Sequence, residues 1–212
     1  MRLILASASP RRRELLAGLG LPFEVRPSAV EEPLPAGTPA TGLARALALE
    51  KARDVAGRVA REPGDPAVVL GADTLVVLDG QPLGKPGSAA EARAMLAALA
   101  GRTHEVVTAV ALVETRSGRE VTETVVSRVE MRPYGVAEIE AYLATGEPYD
   151  KAGAYAVQGE GGRLVARVLG CYTNVVGLPV KTAARLLRVI GLPAREPVTV
   201  VRGSGPVGTE PP

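Results

Sequence analysis

The chain has 212 residues, 46% of them hydrophobic and 23% charged, with a formal net charge of +2 at pH 7. That length admits one substantial core, or at most two small domains, the balance is that of a globular protein, and the small net charge excludes an overall field that would draw the protein to nucleic acid or to a membrane. A single cysteine, Cys171, and a single histidine, His104, exclude an internal disulfide, a cysteine-based zinc site and a multi-histidine metal site. No charged-then-apolar leader opens the chain and no apolar run approaches about 18 residues, so a cytoplasmic location is expected.

Val- and Leu-rich segments alternate with Ala/Leu/Arg segments at helical spacing, the pattern of an α/β fold. Strands are predicted near 2–6, 22–27, 67–78, 103–115, 121–131 and 163–169, and helices near 10–18, 40–61, 88–100, 135–145 and 179–190. The stretch "TRSGRE" between two alternating runs reads as a hairpin turn, which makes the sheet at least partly antiparallel. Residues 1–192 form one domain, and the Gly/Pro-rich segment 193–212 reads as a largely disordered tail.

The first strand leads into "SASPRRREL". Ser9 and Pro10 mark a helix start, yet Arg11, Arg12 and Arg13 crowd into the first turn, where the helix dipole disfavours each cation by about 0.3–1 kcal/mol. Two explanations fit: a solvated basic start relieved by Glu14, or an anion seated on the free amides and guanidinium groups. Farther on, Ala67 to Leu78 is an almost wholly apolar strand with Asp73 in its middle. Leaving that carboxylate uncompensated costs several kcal/mol, so it is expected to face a metal, a cation or a wet cleft. Gly71, two residues back on the same strand face, is expected to leave open space beside it.

Only four of the 25 basic residues are lysines: Lys51, Lys85, Lys151 and Lys181. In so arginine-rich a chain, a retained lysine marks a place that wants a compact ammonium. Lys51 falls within the inward stripe Ala44, Leu47, Ala48, Ala52 and Val55, where it either snorkels past the core edge or lines a cleft floor. Lys85 follows the Asp73 strand in "LGKPGS", and Lys151 sits in "EPYDKAGAY". Glu31 and Glu32, in "VEEP", supply carboxylates that with Asp73 could complete an oxygen site for Mg²⁺. Several cations, two candidate metal-binding carboxylates and a helix N-terminus together suit a triphosphate with Mg²⁺. There is no G-x-x-x-x-G-K-[ST] loop, and with aromatics at 3% there are few platforms for stacked bases.

The segments "LILASASPRRRELL", "VEEP", "EKA", "LGADTLVV", "GKP", "GRTHEVVTAVAL", "EPYDKAGAYAVQG" and "VVGLP" resemble, in order, the signature segments of the Maf family of nucleoside triphosphate pyrophosphatases, also called septum-formation proteins. The resemblance runs from about residue 3 to residue 190. It implies an elongated, twisted mixed sheet flanked by helices, with a cleft between two lobes, related to inosine-triphosphate pyrophosphatases. It implies Mg²⁺- or Mn²⁺-dependent hydrolysis of the α–β phosphoanhydride, with Asp73 as catalytic acceptor. Ser9, Arg12, Lys51 and Lys85 correspond to phosphate-binding positions, Arg13 to a variable one, and Glu32 with Asp73 to the metal site. Arg11, Thr74 and Gln158 look like the base-selecting residues of the dTTP/UTP subgroup, although Ala156 stands where that subgroup often has glycine. The carboxamide of Gln158 is complementary to the O4 and N3–H edge of uracil or thymine, and a flipped amide would suit cytosine. By analogy a homodimer is expected, with no nucleic-acid or membrane partner. Two roles for Asp73, general base or metal ligand, stay open. The alternative from another class is a non-catalytic nucleotide-binding regulator of cell division.

Overall fold

The computed structural model describes residues 1–30 and 38–195. The chain opens with β1 (Arg2–Leu5), α1 (Pro10–Ala17), β2 (Phe23–Val25), α2 (Ala40–Val59) and β3 (Ala67–Leu78). β1 pairs in parallel with both β2 and β3, so α1 and α2 serve as the crossovers that parallel pairing requires. After β3 the chain reverses through Asp79 and Gly80, with φ of 51° and 77°, into β4 (Gln81–Leu83). Two left-handed residues match the twist of the flanking strands, and Asp-Gly is the pair that tolerates them.

The remaining elements are α3 (Ala89–Leu99), β5 (Thr103–Glu114), β6 (Glu120–Met131), α4 (Val136–Leu143), β7 (Val165–Leu169), α5 (Tyr172–Val176) and α6 (Val180–Val189). The described strands make one mixed sheet in the order β2-β1-β3-β5-β6-β7, with β4 also paired to β3. β5 and β6 are joined by the hairpin expected at "TRSGRE", closed by Gly118 N–H donating to the Glu114 carbonyl.

Both faces of the sheet are covered, which is why β1 and β3 are continuously apolar rather than alternating. Leu3, Leu5, Val68 and Leu70 pack on one face with Leu16 of α1 and Leu187 of α6. Ile4, Ala67 and Val69 pack on the other against the Ala44, Leu47, Ala48, Ala52 and Val55 stripe of α2. A third cluster joins the far end of β3 to α3 and α4 through Val76, Leu78, Leu96, Leu99 and Ile139.

The expected mixed sheet flanked by helices is observed, and each long predicted element appears within a few residues of its anticipated limits. The strand expected at 163–169 starts at Val165, because Gly159–Leu164 winds into a 3₁₀ turn first. β4 and α5 are additional, three and five residues long, too short to show a period. Residues 31–37 and 196–212, with Glu31, Glu32 and most of the expected tail, lie outside the described residues.

Candidate active site

One edge of β3 positions the site. β1 pairs with it as far as Leu70 and β4 takes over from Val76, while β5 runs along the opposite edge. Between them residues 71–75 have no strand partner on that edge among the described residues, and a cleft opens there. Its described lining includes Ser9, Arg11 and Arg12 from the start of α1, Asp73 and Thr74 from β3, Lys85 from the loop after β4, and Lys151.

α1 begins as its sequence anticipates. The Ser9 hydroxyl accepts from the Arg12 N–H at 3.4 Å, and Pro10 occupies the first turn. The three arginines then separate by role. Arg12 donates from Nε to the Gly177 carbonyl at 2.9 Å, from one terminal nitrogen to Thr74 Oγ1 at 3.1 Å and from the other to Ser7 Oγ at 3.4 Å. These acceptors outweigh a dipole penalty of a few tenths of a kcal/mol. Arg11 lines the cleft, whereas Arg13 is exposed.

Asp73 is 3% exposed and Lys51 5%, and Lys51 Nζ donates to Asp73 Oδ1 at 2.7 Å. The other carboxylate oxygen, Oδ2, is buried with no hydrogen-bond partner among the described residues. The expectation of open space beside Asp73 at Gly71 is wrong. A Cβ at 71 would lie 2.2 Å from the Ala48 carbonyl oxygen and 2.8 Å from the Ala52 nitrogen, so the backbone of α2 fills that volume. The missing side chain lets the helix press against the strand, and that approach sets Lys51 on Asp73. Lys51 thus meets the cleft through the Asp73 carboxylate.

Among the described lining residues four cations (Arg11, Arg12, Lys85 and Lys151) face two carboxylates, Asp73 and Asp150, a balance that favours a polyanion. Lys151 donates to the Glu147 carbonyl at 2.9 Å and pairs with Asp150. That hydrogen bond holds the Asp150 carboxyl below its ordinary range. Gln158 is exposed and follows Val157, which lines the cleft. Glu32 lies outside the described residues. Among the described residues no cluster of three His, Cys, Asp or Glu side chains could hold a metal.

Several contributors were not assigned roles from sequence. Tyr155 lines the cleft and its hydroxyl meets His104 Nε2 at 2.7 Å. Burial lowers the His104 pKa to about 4, so the ring is neutral at neutral pH. Thr108 and Asn174 lie fully buried beneath Thr74. The available signal was polarity: Thr108 interrupts apolar β5 as Asp73 interrupts β3, and its register partner is Thr74.

No helix of the described chain is long and apolar enough to cross a membrane. Curated relatives include a dTTP/UTP pyrophosphatase of Moorella thermoacetica, 52% identical over 191 residues, covering 90% of this chain and 96% of the relative. Another is a dTTP/UTP pyrophosphatase of Anaeromyxobacter dehalogenans, 51% identical over 194 residues, with 91% and 95% covered. Among solved structures, a nucleoside-triphosphatase (dITP/XTP pyrophosphatase) from Mycobacterium abscessus is similar over 90% of this chain and 94% of its own, at TM-score 0.42 and 17% identity. The family model described as Maf-like protein matches residues 2–190. With a match spanning nearly the whole described chain, and relatives at half identity over nine-tenths of it, this chain belongs to the Maf family.

Proposed function

We propose that this chain hydrolyses dTTP and UTP between the α- and β-phosphates, releasing the nucleoside monophosphate and pyrophosphate. The observation that carries the reading is Asp73 Oδ2: a buried carboxylate oxygen with no partner among the described residues, in a cleft whose described lining holds more cations than anions. The names of relatives at about half identity support hydrolysis over a purely binding role.

In this mechanism a water attacks the α-phosphorus in line with the bridging oxygen, which leaves with pyrophosphate. Asp73 Oδ2 takes the water's proton, while Lys51 holds Oδ1 and keeps the carboxylate aimed. Arg12, bound on several sides, presents a fixed positive charge at the helix N-terminus, and Ser9, Arg11 and Lys85 complete the phosphate cradle. The hard Oδ2 of Asp73, without a partner among the described residues, also fits a divalent cation, since Mg²⁺ takes one or two carboxylates and fills its shell with phosphate oxygens and water. Asp73 and Glu32 are the residues that would hold Mg²⁺ or Mn²⁺. When bound, such an ion neutralises charge on the phosphate oxygens. Gln158 and Thr74, with Arg11, select the pyrimidine, the carboxamide pairing with its O4 and N3–H edge. The enzyme acts as one domain over 1–192 in the cytoplasm, where nucleoside triphosphates are abundant, and pairs as a homodimer.

Pyrophosphate release from a panel of nucleoside triphosphates with Mg²⁺ tests the reading. dTTP and UTP should turn over fastest, and Asp73→Asn should be silent on both. Tight nucleotide binding with no turnover would instead make the protein a non-catalytic regulator.

A further inference from the structure

A buried chain of hydrogen bonds runs beneath the cleft, and its proton positions follow from valence alone. The Asn174 backbone carbonyl can only accept, so the single hydroxyl proton of Thr108 goes to it, across 2.9 Å. Thr108 Oγ1 is then the acceptor in its 2.9 Å contact with Thr74 Oγ1, and Thr74 is the donor. With its proton committed, Thr74 Oγ1 meets Arg12 with a lone pair, and the guanidinium donates to it at 3.1 Å. The chain therefore has one direction: Arg12 to Thr74, Thr74 to Thr108, Thr108 to the Asn174 carbonyl.

Its far end is anchored. Asn174 Nδ2 donates to the Val106 carbonyl and to Ser127 Oγ, both at 2.9 Å, and Ser127 Oγ donates to the Cys171 carbonyl at 3.0 Å. Thr108 and Asn174 have no exposed surface, and Ser127 is buried. The bonds of Thr108, Asn174 and Ser127 are thus shielded from solvent, and each of these groups keeps the orientation its neighbour imposes. Half-buried Thr74 and Arg12 carry the chain to the cleft. Four elements of the sheet and its helices (β3, β5, β6 and α5) thus converge on one arginine of α1.

We propose that Thr108 is a positioning residue for the reaction, acting through Thr74. By accepting Thr74's proton it fixes that hydroxyl as an acceptor, which holds the Arg12 guanidinium in one plane at the cleft. Without it, the Thr74 hydroxyl can turn its proton toward Arg12, and a donor then faces a donor. The proposal rests on the pyrophosphatase reading, because its readout is turnover of a triphosphate.

The experiment is a double-mutant cycle on the full chain, with UTP and Mg²⁺ as probe and pyrophosphate release as readout. Thr108→Val keeps the shape and removes the hydroxyl. It should lower kcat/KM about tenfold, mostly through KM, the size expected for weakening one hydrogen bond to a charged group. Thr108→Ser, which keeps the hydroxyl, should recover activity to within about twofold of wild type. In a Thr74→Val background, Thr108→Val should cost less than about twofold more, because its effect passes through a hydroxyl already gone. Effects that multiply in the double variant, or a serine variant as poor as the valine one, would overturn the proposal and leave Thr108 a packing residue. If Thr108→Val does not fold, Thr108→Ala takes its place under the same criteria. If wild type itself releases no pyrophosphate from any triphosphate, it is the hydrolase reading that fails, and the same cycle is then read in the Kd for UTP.

Discussion

Replacing Lys51 by methionine tests the most consequential contact in the molecule. The pair is nearly dry, with Lys51 5% and Asp73 3% exposed, and Nζ lies 2.7 Å from Oδ1. At an effective dielectric of about 20, charges at that separation attract by roughly 6 kcal/mol. Desolvating both ions offsets most of this, so the intact pair adds little net stability. Removing one partner is different: Asp73 would keep its burial and lose its Lys51 counter-ion, with no partner for Oδ2 among the described residues. The expected cost is about 3–5 kcal/mol. For a domain of this length that is a fall in Tm of roughly 6–20 °C. Lys51→Met/Asp73→Asn, which removes both charges, should recover at least half of the loss. Urea denaturation followed by circular dichroism at neutral pH measures both variants. A single variant within about 1 kcal/mol of wild type, or a double variant no more stable than the single, would refute the dry ion pair.

Gly71→Ala should destabilise by at least about 1–3 kcal/mol, since its methyl would collide with backbone atoms of α2 that cannot turn aside; the urea midpoint checks this. His104 should make stability fall in acid. Its folded pKa is depressed from 6.5 to about 4, so between those values the unfolded chain binds a proton that the folded chain refuses. The folded state should lose about 2 kcal/mol between pH 7 and about pH 4.5 from this group. His104→Gln should show a flatter profile over that window, and equal slopes for the two proteins would count against it. Chelation by EDTA should abolish pyrophosphate release, with Mg²⁺ or Mn²⁺ restoring it; full activity in EDTA would remove the metal from the mechanism.

Much of the sheet was legible in the chain because its strands are buried on both faces. The almost wholly apolar run of twelve residues from Ala67 to Leu78 admits few other placements, and β3 occupies that whole range. The Asp79-Gly80 turn into β4 was not anticipated, because three residues containing a proline carry too little pattern to be read as a strand. Lys51 was legible as an anomaly within an apolar helical stripe, but its meaning was not. A stripe says which face of a helix turns inward, and nothing about which strand residue lies beneath it.

By itself the sequence determined the α/β class, the capped arginine-bearing start of α1, and the need for a partner to the carboxylate buried in β3. Each of these follows from local chemistry: periodicity, capping, or the desolvation of a single charge. Only the tertiary structure decided that the partner is Lys51, that Gly71 is occupied by helix backbone, and that Arg12 rests on Thr74 and, through it, on Thr108. Those contacts join residues 22, 62 and 34 positions apart along the chain. They exist because two helices and two strands pack together there, a fact of assembly that no stretch of sequence contains.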